Sequence, residues 1–329
     1  MAVSIEDIKK LRKLTSAGLS DCKNALNETN GDMEAAVEIL RQKGKAIAAK
    51  REDREASEGC VLAKAEGNFA AIVALKCETD FVAKNATFVD LTKELLNLAV
   101  ANKVKSIDEL KALPIDGRTV AELVVEESGK TGEKTEIGAY EYLEAPAVVA
   151  YNHFGNKLST IVAFNQVADQ AVLHDVAMQV AAMNPVAVNR DAVPQAIKDS
   201  ELNVAIEKTK EEQVQKAVEN AIKKAGLNPN LVDSEDHIES NIAKGWLTRE
   251  EADKAVAIAK ETAAAKAANL NENMIANIAN GRMNKFYKES CLMEQEFVKD
   301  AKISIGQYLE QSSKGLVAVD FKRINLNED

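Results

Sequence analysis

Cys77-Glu78-Thr79-Asp80-Phe81-Val82-Ala83-Lys84 directly follows the apolar run Phe69-Ala70-Ala71-Ile72-Val73-Ala74-Leu75. The run reads as a strand, and the stretch after it as an abrupt helix start with an acid and an aromatic at the turn. Thr79 and Asp80 both suit an N-cap, because their side-chain oxygens can accept from the orphan amides of a first helical turn. Phe81 then has two placements. It can staple the helix start as a core aromatic, which local physics alone makes the commoner arrangement. It can also project outward.

Working outward from this turn, strands over 60–65 and 69–75 flank Glu66-Gly67-Asn68, a hairpin signal. Helices are expected over 86–101, 106–112 and 119–127, and 136–143 is again strand-like. A second half begins near Val148. Strands over 148–153 and 157–164 join around Phe154-Gly155-Asn156, and a helix follows over 168–182. The strand–hairpin–helix order thus repeats, as a duplicated or a convenient packing unit would. Residues 316–324 form a final strand.

Upstream, residues 4–43 read as three short helices. Ser4 can cap the first, whose Ile5, Ile8, Leu11 and Leu14 recur at helical spacing. Gly18 precedes a second over 20–28. Asp32 caps a third carrying Met33, Val37 and Leu40. Residues 43–54 are charge-rich and read as a linker. Between 184 and 280 the chain becomes a long Ala- and charge-rich helical insertion. A helix over 197–225 with Val204, Val214, Val218 and Ile222 as apolar positions is closed by Gly226-Leu227-Asn228-Pro229. A short helix starts at Ser234, and Gly245-Trp246 interrupts. Thr248-Arg249-Glu250-Glu251 is a capping box that opens a return helix with Ala255, Ala259 and Ala263. The insertion reads as an antiparallel helical hairpin.

The 329 residues allow two or three domains, and 46% hydrophobic with only 4% aromatic content describes Ala-, Val- and Leu-rich packing. A net charge of −10 argues against a broad nucleic-acid-binding face. Cys22, Cys60, Cys77 and Cys291 form no CxxC pair, so neither a disulfide framework nor a zinc site is suggested. Met1-Ala2-Val3-Ser4-Ile5-Glu6-Asp7 lacks the apolar core of a signal peptide, and no run reaches membrane-span length. The expectation is a soluble, cytoplasmic protein with no membrane partner.

Gly129-Lys130-Thr131 ends like a phosphate-binding P-loop, but Val124 stands where its first glycine belongs, and a strand is expected where the phosphate-binding helix should start. His153, His174 and His237 lack neighbours at zinc spacing. His174 reads as structural within its helix, and His237 as solvated. No nucleophile–base order and no paired-carboxylate signature rises above chance, so neither an enzyme nor a cofactor is expected.

Thr79-Asp80-Phe81-Val82-Ala83 at a strand-to-helix turn resembles the signature of the elongation factor Ts family, the guanine nucleotide exchange factors for elongation factor Tu. The segment Leu11-Arg12-Lys13-Leu14-Thr15-Ser16-Ala17-Gly18-Leu19-Ser20-Asp21-Cys22-Lys23-Asn24-Ala25-Leu26 resembles the family's N-terminal signature. Asn30-Gly31-Asp32-Met33 follows at the family's usual place. Gly281-Arg282-Met283-Asn284-Lys285-Phe286-Tyr287 and Ile305-Gly306-Gln307-Tyr308-Leu309 resemble later family segments, and Tyr151-Asn152-His153-Phe154-Gly155 fits its Tyr-x-His-x-Gly context. Ser16 replaces the usual Gly, and Ala74 and Lys76 replace the Glu and Asn that often precede the second motif. The insertion is longer than the family's short form, and the further C-terminal helix that many relatives carry is not expected after Asp329.

The resemblance implies an α+β fold. A UBA-like three-helix bundle with its linker would span 1–54. A two-part α/β core with small antiparallel sheets would span 55–146 and then 147–184 with 281–329, and a coiled-coil hairpin would be inserted at 185–280. It also implies that elongation factor Tu is the partner, GDP-bound and nucleotide-free, with a homodimer or a dimer of heterodimers as an allowed assembly. Thr79, Asp80, Phe81 and Val82 would bind the partner, with Phe81 as a wedge between helices of its G domain. Asp80 would disturb the surroundings of its Mg²⁺, and Arg12, Leu19, Ser20 and Lys23 would grip that domain. His153 and the second half of the core would hold another. Two other classes compete: an adaptor whose N-terminal bundle recognises something else, which leaves 79–83 unused, and a GTPase or other enzyme.

Overall fold

The computed structural model describes residues 3–15, 17–115 and 117–328. Ser16, where the sequence departs from the family pattern, and Asp329 lie outside the described residues. One compact unit comprises the described residues up to Val188 together with those from Gln295 onward, and the other is Asn189–Glu294.

The first unit opens with α1 (Ile5–Thr15), α2 (Leu19–Glu28) and α3 (Met33–Lys50). The Ser4 hydroxyl accepts the Asp7 amide at 3.0 Å, and Asp32 accepts the Ala35 amide at 3.0 Å, so both expected caps are made. Ile8, Leu11, Cys22, Ala25, Leu26 and Ala36 bury a small core between the three helices. The charge-rich stretch after residue 43 is not an open linker through its first part. α3 runs on to Lys50, because its Lys, Gln and Ala residues are good helix formers and its second half finds a packing partner described below.

β1 (Glu58–Glu66) and β2 (Phe69–Cys77) pair antiparallel, and the turn places Gly67 at φ +60°, a backbone glycine adopts freely. There follow α4 (Asp80–Ala83), α5 (Ala86–Ala101), α6 (Ile107–Ala112), the two-residue strands β3 (Pro114–Ile115) and β4 (Arg118–Thr119), α7 (Val120–Thr131) and β5 (Thr135–Glu144). β5 pairs antiparallel with β2, so the sheet order is β1-β2-β5. Phe69, Ala71, Val73, Leu75 and Cys77 pack with Phe88, Leu91, Leu95 and Leu96 of α5 and with Leu123 and Val124 of α7. Ala70, Ile72 and Ala74 pack the other way, with Val61, Ala63, Val148, Ile161 and Ala163. A strand buried on both faces shows a continuous apolar run instead of alternation, which accounts for 69–75.

The second sheet starts with β6 (Ala147–Asn152) and β7 (Leu158–Phe164), after which α8 (Gln170–Met183) packs against it. The chain then enters the second unit and returns as β8 (Glu296–Phe297) and β9 (Asp300–Ser304), followed by a helix at Ile305–Ser312 and β10 (Ala318–Asn325). The sheet order is β10-β7-β6, all antiparallel. Leu173, Val176, Ala177 and Val180 of α8 are buried, and the Thr160 hydroxyl donates to the Ala177 carbonyl at 2.9 Å.

The second unit holds α9 (Gln195–Lys224), α10 (Glu235–Ala243), α11 (Arg249–Ala268) and α12 (Glu272–Ser290), which makes the returning helix at Ile305–Ser312 α13. The capping box at Thr248 and Glu251 is present. α11 and α12 both pack on α9, so two helices rather than one make the return; Asn271 restarts it by accepting the Met274 amide at 3.0 Å. Gly281–Tyr287 therefore lies inside a helix of this unit, where Arg282 pairs with Glu212 of α9 at 2.7 Å. Ala205, not Val204, takes the inward position of α9. Among the described residues no helix is long and apolar enough to cross a membrane.

Candidate partner-binding site

The turn after β2 is held from three sides. Thr79 is extended and is the N-cap, its hydroxyl accepting the Val82 amide at 3.4 Å, so Asp80 is the first helical residue. Glu133 grips Thr79 twice: the Thr79 amide donates to one carboxylate oxygen at 3.0 Å and the hydroxyl to the other at 2.7 Å. Glu78 next to it accepts from Arg51 at 2.8 Å, Arg54 at 3.0 Å and the Lys134 amide at 2.6 Å. Burial pushes the Glu78 carboxyl up, but the Lys134 amide and the two guanidiniums outweigh it and hold the carboxyl at about 2. Burial drives the neighbouring Cys77 thiol up to about 12, which makes it a packing group and not a nucleophile.

On this frame Val82 packs partly against the core and Ala83 is buried, while Phe81 is 85% exposed. The turn thus takes the outward alternative. Asp80 pairs with Lys84 at 2.6 Å; that bond, with help from Lys157, holds its carboxyl below the usual range.

Lys157 belongs to the β6–β7 hairpin, whose tip is His153-Phe154-Gly155-Asn156. Gly155 and Asn156 take φ of +91° and +56°, and Phe154 is 98% exposed. His153 is exposed at this tip, with its Nδ1 2.9 Å from the Tyr151 hydroxyl. His174 of α8 stands edge-on to the Tyr151 ring, and His237 in the other unit pairs with Asp233 at 2.6 Å.

The hairpin is fastened to the outer edge of β1 by side chains that nothing in the sequence flagged. The Asn152 amide accepts the Ala63 N–H at 2.6 Å and donates to the Ala63 carbonyl at 2.9 Å, as a neighbouring strand would. Ser159 donates to the Val61 carbonyl at 3.0 Å, and the Val61 N–H donates to the Asn156 carbonyl at 2.7 Å. Lys157 also reaches Glu58 at 2.7 Å, and Glu58 stands opposite Cys77 in the β1–β2 pairing. Both turns therefore sit beside the same end of that strand pair. Glu133 and Asn152 are the residues sequence reasoning missed, since both act across long separations.

Arg12, Leu19, Ser20 and Lys23 form a separate group. All four are exposed on α1 and α2, Leu19 at 55%, and none belongs to the bundle's core. The P-loop fragment has another explanation: Gly129-Lys130-Thr131 is the last turn of α7, closed by Gly132 at φ +72°. A helix C-terminus carries partial negative charge and repels phosphate. Among the described residues there is no cluster of three or more His, Cys, Asp or Glu able to hold a metal.

The sequence matches the family described as Elongation factor TS over residues 78–233 and 204–328. It is 56% identical to the Elongation factor Ts of Bacteroides fragilis (strain YCH46), 55% to that of Bacteroides thetaiotaomicron and 47% to that of Porphyromonas gingivalis (strain ATCC BAA-308 / W83). Each comparison covers 100% of both chains.

Proposed function

The chain belongs to the elongation factor Ts family, a family of translation elongation factors, and from that premise we propose that it is the guanine nucleotide exchange factor for elongation factor Tu. One observation carries the reading furthest: a phenylalanine left 85% in water on a turn fixed by Thr79, Glu133 and Glu78.

A GTPase holds GDP through backbone amides around the phosphates and through a Mg²⁺ that neutralises their charge. An exchange factor can release GDP only by binding the nucleotide-free state more tightly than the GDP state, since differential affinity alone shifts the equilibrium. Phe81 is the wedge that enters between helices of the partner's G domain. Its turn is held by the Glu133 and Lys134 hydrogen bonds before contact, so little ordering entropy is lost on insertion. Asp80 carries a full negative charge beside the wedge and perturbs the surroundings of the Mg²⁺. Thr79 and Val82 hold the turn. Arg12, Leu19, Ser20 and Lys23 grip the G domain, and His153 contacts another domain. The protein performs no covalent chemistry of its own.

The test is the release of a fluorescent GDP analogue from elongation factor Tu, with and without this protein. Acceleration that falls sharply in Phe81→Ala at unchanged melting temperature supports the reading. No acceleration by folded wild-type protein ends it, and the adaptor reading then takes over.

A further inference from the structure

We propose that the groove between the end of α3 and the start of β5 is an effector site for an amphipathic anion, a carboxylate or phosphate on an apolar tail, and that its occupant steadies the turn that carries Phe81. The binding half stands by itself; the readout at Phe81 rests on the exchange-factor reading and deepens it.

The groove has a volume of about 550 Å³, the size of a pocket for a small organic molecule. Its walls are apolar: Ala48 of α3, Ala121, Val124 and Val125 of α7, and Ile137 of β5 line it. Thr135 lines it too. That residue is 7% exposed, and its hydroxyl oxygen is buried without a hydrogen-bond partner. A buried polar atom left unpaired is costly, and a ligand oxygen that reaches it recovers that cost.

The rim is basic. Lys45, Lys111 and Lys134 stand there with Glu52 and Glu136. Lys134 takes up Glu136 at 3.2 Å, which leaves two lysines against one carboxylate in a chain of net charge −10. Apolar walls beneath a local positive charge select a molecule with a tail and an anionic head. A neutral tail forgoes the lysines, and a bare anion forgoes the walls.

The two elements that would close on the ligand are also the two that hold Glu78. Arg51, the C-cap of α3, bonds to Glu78 at 2.8 Å, and Arg54 does so at 3.0 Å. From the other side the Lys134 amide donates to Glu78 at 2.6 Å, and Glu133 before it grips Thr79. A ligand that bridges α3 and β5 therefore favours the arrangement in which Glu78 and Thr79 are held. By linkage, the held turn favours the ligand.

The test titrates the full chain with octanoate, octanol and inorganic phosphate by isothermal calorimetry. We expect octanoate to bind at one site per chain, about tenfold or more tighter than octanol or phosphate, the worth of one charge-assisted bond. Lys45→Gln with Lys111→Gln should erase the preference for octanoate over octanol. Ala121→Trp fills the groove from an exposed helix position and should abolish octanoate binding at unchanged melting temperature. Octanoate binding that survives Ala121→Trp would overturn the site, and equal affinity for octanol or phosphate would overturn the amphipathic anion. In GDP-analogue release from elongation factor Tu, with spontaneous release in the same octanoate as baseline, saturating octanoate should raise the acceleration by wild type about twofold or more. It should leave Ala121→Trp unaffected. Octanoate that binds without changing the acceleration would overturn the effector role. Absence of any acceleration by wild type would instead sink the exchange reading, and with it the readout at Phe81, while the binding site is judged by calorimetry alone.

Discussion

Gly129 of α7 meets Gly44 of α3 backbone to backbone: a Cβ on Gly129 would lie 2.4 Å from the Gly44 Cα. No side chain fits on Gly129 at that gap, and the two helices cross where both residues are glycine. Arg41 pairs with Glu126 at 3.0 Å beside the crossing, and Glu126 also binds Arg118. This contact is what carries α3 on as a helix through the stretch whose composition reads as linker. It also gives the glycine of the false P-loop its purpose.

The contact is asymmetric, and that makes it testable. Gly129→Ala drives a methyl into backbone and should cost about 1–3 kcal/mol, as overpacking does. A Cβ on Gly44 would sit 3.5 Å from the Gly129 Cα, an ordinary contact. Gly44→Ala should therefore be neutral or gain up to about 1 kcal/mol from helix propensity. Thermal melts of the two variants check this, and equal destabilisation would refute the asymmetry.

Phe81 and Phe88 lie seven residues apart and should respond oppositely to truncation. Phe88 is fully buried against β2, so Phe88→Ala should cost about 3–5 kcal/mol. Phe81→Ala removes almost nothing that is packed and should stay within about 0.5 kcal/mol of wild type. Chemical denaturation distinguishes the two, and a Phe81→Ala loss comparable to that of Phe88→Ala would mean that Phe81 packs in solution.

The apolar run 69–75 was readable as a strand because it lies at the centre of a three-stranded sheet and is covered on both faces. The caps at Ser4, Asp32 and Thr248 were readable because each bonds within three residues. The direction of Phe81 was not, since the same cap supports a staple or an exposed ring, and the turn beneath it is tied by Glu133, 54 residues from Thr79. The Asn152 clamp reaches 89 residues back to Ala63, and no local pattern encodes such a partner. Strands of two residues such as β3, β4 and β8 are too short to show a period. The break between α11 and α12 falls at Asn269-Leu270-Asn271, which lacks the Gly or Pro that marks most helix ends.

Glu78 should leave a signature in acid. Its carboxyl is held at about 2 against an ordinary 4.5. A depressed carboxylate stabilises the fold fully above its unfolded value, and that contribution is lost as pH falls through the folded one. The stability difference between wild type and Glu78→Gln should thus be about 1–2 kcal/mol near neutrality, after allowance for solvent screening. It should hold down to about pH 4.5 and vanish toward pH 2. Denaturation across that range would show it, and a difference that persists at pH 2 would assign the effect to packing instead of charge.

Glu133 offers the sharpest separation of turn geometry from contact chemistry. It touches neither Phe81 nor Asp80, and acts only by holding the Thr79 amide and hydroxyl. Glu133→Ala should loosen the turn while leaving every proposed contact residue in place. Removing a hydrogen-bond partner from part-buried donors costs about 1–3 kcal/mol locally. Much of that should appear as faster amide exchange over 79–84, with little fall in global stability. GDP-analogue release should slow severalfold, and Glu133→Gln, which keeps one acceptor, should recover part of the loss. If Glu133→Ala freed the turn without slowing release, preorganisation of the wedge would be irrelevant to exchange, and exposure of Phe81 alone would carry the activity.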